Sequence, residues 1–198
     1  MKMNMSRRYD NTLRAKQATE TEQRIVEHAE RMFATELFDR VSLGAVADAA
    51  GVTIPTVQRR FGTKDGLLAA CGARIRARVH SQRGAPPVGD LARCIHELVA
   101  HYEVEGAMVW HLLRQEADVP LLHDGLEEGR SRHRAWVEAV FGTSIKRARG
   151  SARRARIDAL VAVTDVFVWK LLRLDLGRSR ADVEQIFTAL ATAVSGGS

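Results

Sequence analysis

Ser42–Lys64, SLGAVADAAGVTIPTVQRRFGTK, is the stretch whose reading decides the fold. Ser42 is placed to cap a helix in which Leu43, Val46, Ala47 and Ala50 recur at i, i+3, i+4 and i+7. Gly51 follows, a residue that accepts the left-handed conformation ending a helix. Thr53 stands at the cap of a second helix, whose first turn tolerates Pro55 because amide donors there lack intrahelical partners. Val57 and Phe61 lie one turn apart and face inward, which leaves Thr56, Gln58, Arg59 and Arg60 outward. Two short helices around a tight turn make a helix-turn-helix, whose second helix lies in a DNA major groove.

Working outward, Thr19 and Glu22 read as a T-x-x-E capping box. The helix they open carries Ile25, Ala29, Met32 and Phe33 on one stripe, continued by Leu37 and Phe38. After Phe61, Gly62 ends the recognition helix and Thr63 caps a fourth, with Leu68, Cys71, Ile75 and Val79 inward to about His80. Residues 1–18 are polar and basic, with Arg7, Arg8, Arg14 and Lys16, and read as a disordered arm. Such an arm adds phosphate or minor-groove contacts. Residues 19–82 then form the helix-turn-helix domain, connecting helix included.

Ser81–Val88, SQRGAPPV, breaks the helical pattern with a glycine and a proline pair, and a second domain is expected over 88–198. Leu91, Cys94, Ile95, Leu98 and Tyr102 mark a fifth helix ending near Gly106, and 108–113 a sixth closing before Pro120. Leu126, His133, Trp136, Val137, Val140 and Phe141 trace a seventh. An eighth spans about Ala152 to Leu176 and is apolar over too much of its surface to be covered on one side alone. Gly177 and Ser179 form a stop and a cap before a ninth, with Val183, Ile186, Phe187, Leu190 and Val194. No strand pattern or internal repeat interrupts this series. The expected class is all-α, about nine helices.

Composition agrees. The chain has 198 residues, 45% apolar, with only 4 prolines, which is the make-up of a folded helical protein. Its apolar runs are too short to span a membrane, and none follows the basic N-terminus, so neither an anchor nor a signal peptide is expected. The expected compartment is the cytoplasm, where Cys71 and Cys94 are buried free thiols. Net charge is +6, unevenly placed: residues 1–80 hold 14 Lys and Arg against 9 Asp and Glu, the remainder 16 against 15. The excess sits with the helix-turn-helix, as phosphate binding requires.

These residues resemble the TetR family of bacterial transcriptional regulators, most strongly over about Gln23 to Leu68. The similarity is carried by Ile25-Val26-x-x-Ala29-x-x-Met32-Phe33 and by Phe38-x-x-Val41-Ser42-Leu43-x-x-Val46-Ala47-x-x-Ala50-Gly51-Val52-Thr53. Thr56-Val57-x-x-x-Phe61-x-x-Lys64-Asp65-x-Leu67-Leu68 completes it. Beyond it the likeness is general: helix count, Trp169–Arg173 (WKLLR) and a final helix pair that in the family usually forms a four-helix dimer interface. Three positions depart from the family pattern. Gln58 stands where an aromatic, most often Tyr, helps grip a phosphate, while Pro55 and Leu37 stand where Gly is common.

Ser42, Thr53, Ile54, Thr56, Gln58, Arg59, Arg60 and Lys64 are the expected DNA-binding residues. Residues 53–64 contain no acid. Lys64 matches the family's phosphate-binding lysine, Gln58 suits phosphate or adenine, and Ile54 suits a thymine methyl. Trp110, His111, Arg114, Gln115, Trp136, Phe141 and Phe167 combine aromatic bodies with polar tips, the make-up of a small-molecule pocket. Phe167, Leu171, Ile186, Phe187 and Leu190 are the expected dimer contacts. No metal site or cofactor is expected: His96 and His101 miss the i, i+4 spacing, and His101/Glu105 and His123/Glu127 lack a third ligand. Catalysis is not expected either, since His111, Glu116 and His133 assemble no nucleophile, base and orienter. The resemblance implies a homodimeric regulator, a repressor released by a small-molecule effector, on a palindromic operator. The rival is a dimeric regulator without such a ligand.

Overall fold

The computed structural model describes residues 2–83 and 86–196, and these contain helices and turns but no strand. The chain divides into two units, Met1–Ala77 and Arg78–Ser198. In the first, α1 (Lys2–Thr35), α2 (Leu43–Ala50), α3 (Ile54–Phe61) and the start of α4 (Lys64–Arg83) surround one core. Ile25, Ala29, Val46, Ala47, Val57 and Leu67 are wholly buried there, with Phe33, Val41, Ala50 and Cys71 nearly so. Each of the larger side chains among them contributes ~1.5–3 kcal/mol by leaving water, and each alanine methyl about 0.8 kcal/mol.

The start of α1 overturns two expectations. Helix runs unbroken from Lys2, through the arm expected to be disordered. Thr19 therefore caps nothing: its hydroxyl donates to the Ala15 carbonyl (3.1 Å), and Thr21 does the same to Gln17 (2.8 Å), both inside the helix. The physical reason is composition. The first glycine of the chain is Gly44 and the first proline Pro55, so nothing before α2 breaks a run rich in Arg, Lys, Gln, Glu and Ala.

The division falls inside α4, ahead of the Gly/Pro break at 81–88. Arg78 explains why. Its guanidinium makes two bonds, 2.8 and 3.0 Å, to the carboxylate of Glu105, which is 2% exposed on α5 (Leu91–Leu113). That paired charge binds the last turns of α4 to the second unit.

The second unit continues with α6 (His123–Val140), α7 (Gly142–Lys146), α8 (Gly150–Val163), α9 (Val166–Lys170), a turn of π-helix (Leu171–Asp175) and α10 (Arg180–Gly196). One core cluster joins Ile95, Leu98, Val99 and Tyr102 of α5 to Val166, Trp169 and Leu172, with Val183 and Phe187 of α10. A second joins Val137, Phe141, Ile145, Ile157 and Leu160 to Ala191. Helix α10 serves both, and so it ends the chain's packing rather than decorating it. Its start is as the sequence implies: Gly177 has φ +61°, and Ser179 and Asp182 exchange side-chain-to-amide bonds (3.1 and 3.0 Å) in a reciprocal cap.

Two helix boundaries differ from expectation. Helix α5 passes straight through Gly106 to Leu113, absorbing the expected sixth helix. Gly106 is there for packing: a Cβ on it would lie 2.6 Å from the Trp169 ring. The expected eighth helix is broken at Thr164 and Asp165. Asp165 is extended (ψ 156°) and its carboxylate accepts from the Phe167 amide (3.0 Å), starting α9 afresh. Thr164, fully buried, donates to the Leu160 carbonyl (2.7 Å) while its own carbonyl accepts from the Tyr102 hydroxyl (3.0 Å). The one hydroxyl proton being spent on Leu160, Thr164 Oγ1 accepts from His133 Nε2 (3.1 Å), which fixes the proton of that imidazole on Nε2. Three helices are thus tied at the break.

Candidate nucleic-acid interface

Helix α2 begins at Ser42, whose Oγ accepts from the Ala45 amide (3.0 Å), and ends at Gly51, left-handed at φ +63°. Arg24 of α1 reaches the far end and donates to the Ala50 carbonyl (2.9 Å), a cation on exposed helix-terminal carbonyls. Thr53 holds the position before α3, but its hydroxyl bonds the Thr56 hydroxyl (3.0 Å) and caps no amide. Gly62 at φ +70° ends α3, and Thr63 Oγ1 accepts from the Gly66 amide (3.2 Å) at the start of α4.

At 100° per residue, the two inward positions of α3, Val57 and Phe61, set its outward side. Pro55 and Arg59 stand nearly opposite them and Gln58 to one side, while Ile54, two turns before Phe61 on the same side, lies at the open start of the helix, and all four are exposed. Ile54, at 44% exposure, presents its branched apolar side chain to solvent. Thr56 and Arg60 lie on the remaining flank and are only part-exposed. The structure therefore separates the adjacent arginines. Arg59 stands out from the surface, whereas Arg60, 19% exposed in its side chain, pairs with Glu22 of α1 through Nη1 and Oε2 at 3.2 Å. Lys64 sits over the Phe38 ring, 4.1 Å from its centroid, and donates one bond to the Phe38 carbonyl (2.9 Å). An ammonium has three donors, so that bond holds the group in place and leaves capacity for an anion.

The expected ligand residues fall into two groups. Trp110 meets Phe167 edge-on at 5.4 Å, with the Lys170 ammonium 4.7 Å from the Trp110 ring. At the end of α5 and in the turn after it, Arg114 donates to His111 Nδ1 (3.1 Å), so that the imidazole accepts there, and Gln115 donates to the His111 carbonyl (3.1 Å). Trp136 instead stacks on His133 (5.8 Å) and meets Phe141 edge-on (6.2 Å), and Phe141, 5% exposed, belongs to the second core cluster. Phe141 is spent on packing.

Of the expected dimer contacts, Phe167, Leu171 and Leu190 are exposed at 53%, 47% and 38%, and Ile186 is half-buried against the core. Phe187 is corrected: wholly buried in its own protomer, it offers no surface. Leu174 and Leu176, 51% and 52% exposed, are two further apolar surface residues that the sequence does not single out, because nothing in it marks the π-turn that carries or abuts them. Among the described residues, no three His, Cys, Asp or Glu gather to hold a metal, and no helix is long and apolar enough to cross a membrane. Cys71 is packed against α1, its thiol directed at the Val26 carbonyl (3.7 Å). Burial first, and then the Glu30 carboxylate, pushes that thiol up to about 12, so it is no nucleophile.

These features define a class: a helix-turn-helix on a three-helix core, followed by an all-helical second unit. Residues 25–71 match the model of a family described as bacterial regulatory proteins, tetR family. The fold is also that of a transcriptional regulator from Rhodococcus sp. Rha1 (TM-score 0.69, 18% identity), covering 89% of this chain and 96% of that one. A tetR-family transcriptional regulator from Streptomyces coelicolor gives a TM-score of 0.67 at 21% identity, covering 90% and 82%. No curated protein matches the chain.

Proposed function

We propose that the protein is a cytoplasmic transcriptional regulator, a repressor, which binds a palindromic operator as a homodimer and is released by a small-molecule effector. The observation that carries the DNA reading is α3, an eight-residue helix held by its inward Val57 and Phe61 with Ile54, Gln58 and Arg59 exposed, in a segment free of acids. Arg59 and Gln58 supply donors to base edges or phosphate, Ile54 an apolar contact to a thymine methyl, and Ser42 and Lys64 anchor the flanks to phosphates. The exposed apolar side chains of Phe167, Leu171, Leu174 and Leu190 support the dimer. Two-fold symmetry then sets half-sites one helical turn apart, ~34–36 Å.

The effector reading draws on His111 and Gln115, polar yet 9% and 6% exposed, and on the Trp110–Phe167 pair. An effector preferring protomers splayed for non-binding would oppose DNA by a coupling of ~1–3 kcal/mol. The rival without a small molecule draws on Phe141, which fills a core instead of facing a ligand. Selecting bound sites from random duplex DNA tests the principal claim. Enrichment of an inverted repeat with that spacing is expected, and recovery of unenriched sequence overturns it.

A further inference from the structure

We propose that Glu22 is a specificity-determining residue of the DNA surface: it holds Arg60 as a phosphate would, and so penalises binding to the wrong DNA. The inference rests on the DNA-binding reading and deepens it. On α1, Ile25, Val26 and Ala29 are buried against the helix-turn-helix, and Glu22 stands three and four residues before the first two. It therefore occupies the next place on the same stripe, just where the core gives way to solvent, and its side chain is 56% exposed. The apolar pattern would continue there with another apolar residue. A carboxylate stands there instead, and it meets the one recognition-helix arginine turned to that flank, at 3.2 Å.

A carboxylate and a phosphate present the same thing to a guanidinium, an anionic oxygen that accepts charge-assisted hydrogen bonds. They therefore compete for Arg60. On its operator the protein docks in one register, which delivers a phosphate to a fixed place and repays the lost ion pair. On unrelated DNA the contacts are mobile and screened, and Glu22 keeps the arginine. Glu22 thus acts through Arg60, as a positioning residue, and costs non-specific binding more than specific binding.

The test is a cycle of full-length wild type, E22Q, R60A and E22Q/R60A, titrated against a selected operator and an unrelated duplex across a salt series. E22Q should bind the unrelated duplex about three- to fivefold tighter, with a salt slope steeper by about one unit, and gain less on the operator. In the R60A background both gains should vanish. A gain that survives there reflects general charge removal and overturns the proposal, as does no gain in either background. E22A, run alongside, must repeat the E22Q pattern, because the proposal assigns the effect to the carboxylate alone. A wild type that binds no duplex at all removes the DNA reading itself, an outcome distinct from a wild type that binds while the cycle stays flat.

Discussion

Glu103 shows how one side chain can hold two elements. From α5 its carboxylate accepts from Trp169 Nε1 (2.8 Å) and, on both oxygens, from Arg173 (2.8 and 2.7 Å). The Arg173 hydrogen bonds, reinforced by Trp169 and opposed by partial burial, hold the carboxyl below the ordinary glutamate range. A folded-state value below the unfolded one contributes stability above the unfolded pKa, and that contribution is lost as pH falls through the folded one. Glu103→Gln keeps the shape but loses the charge, and should cost about 1–2 kcal/mol at pH 7. In urea unfolding the gap between wild type and variant should close as pH falls below the unfolded value, about 4.3, and through the lower folded one. A gap that stays constant across that window assigns the cost to shape and sinks the electrostatic account. None of this was legible in the sequence, where Glu103 and Arg173 lie 70 residues apart. The local residues were. Ser42, Gly51 and Ser179 announce themselves because caps and left-handed glycines act within three residues of where they stand.

At the scale of elements, the same glycine can mean opposite things. Gly51 and Gly177 end helices at φ +63° and +61°, whereas Gly106 lies within α5 and lets Trp169 of α9 approach. Sequence position alone makes Gly106 look like a stop, because the ring that needs the space is recruited from another helix. Gly106→Ala therefore pits two effects against each other. Helix propensity favours alanine by ~1 kcal/mol, while overpacking a filled core costs ~1–3 kcal/mol. Three Trp169 ring atoms would lie 2.6–2.9 Å from the new methyl, and the ring is 3% exposed and hydrogen-bonded to Glu103, so it has little room to retreat. Overpacking should win, lowering the thermal midpoint by several degrees. An unchanged or raised midpoint would show that the α5–α9 contact yields. The break between α8 and α9 is hidden for a related reason. Val161, Val163, Val166 and Val168 continue an apolar pattern across Thr164 and Asp165; Asp165 caps the Phe167 amide locally, while the Tyr102 and His133 partners of Thr164 are brought in by the fold.

For the whole molecule, the question is what covers the leucines. Phe167, Leu171, Leu174, Leu176 and Leu190, on α9, the π-turn and its end, and α10, are all more than a third exposed. In the proposed homodimer a second copy, related by two-fold symmetry, would bury the same side chains on both chains. Leu171→Glu with Leu190→Glu separates assembly from folding, since both side chains are already at the protomer surface. Placing like charges across a two-fold seam should give a folded monomer, with a helical spectrum like the wild type and half its mass in sedimentation. Its affinity for a single half-site should survive, because α3 and its anchors are untouched. Affinity for the full operator should fall by about 10²–10⁴, the factor gained when a second recognition helix binds as part of one particle. A variant that stays dimeric and holds its operator would place the interface elsewhere, whereas a monomer that keeps full operator affinity would show that one helix-turn-helix reads the site alone.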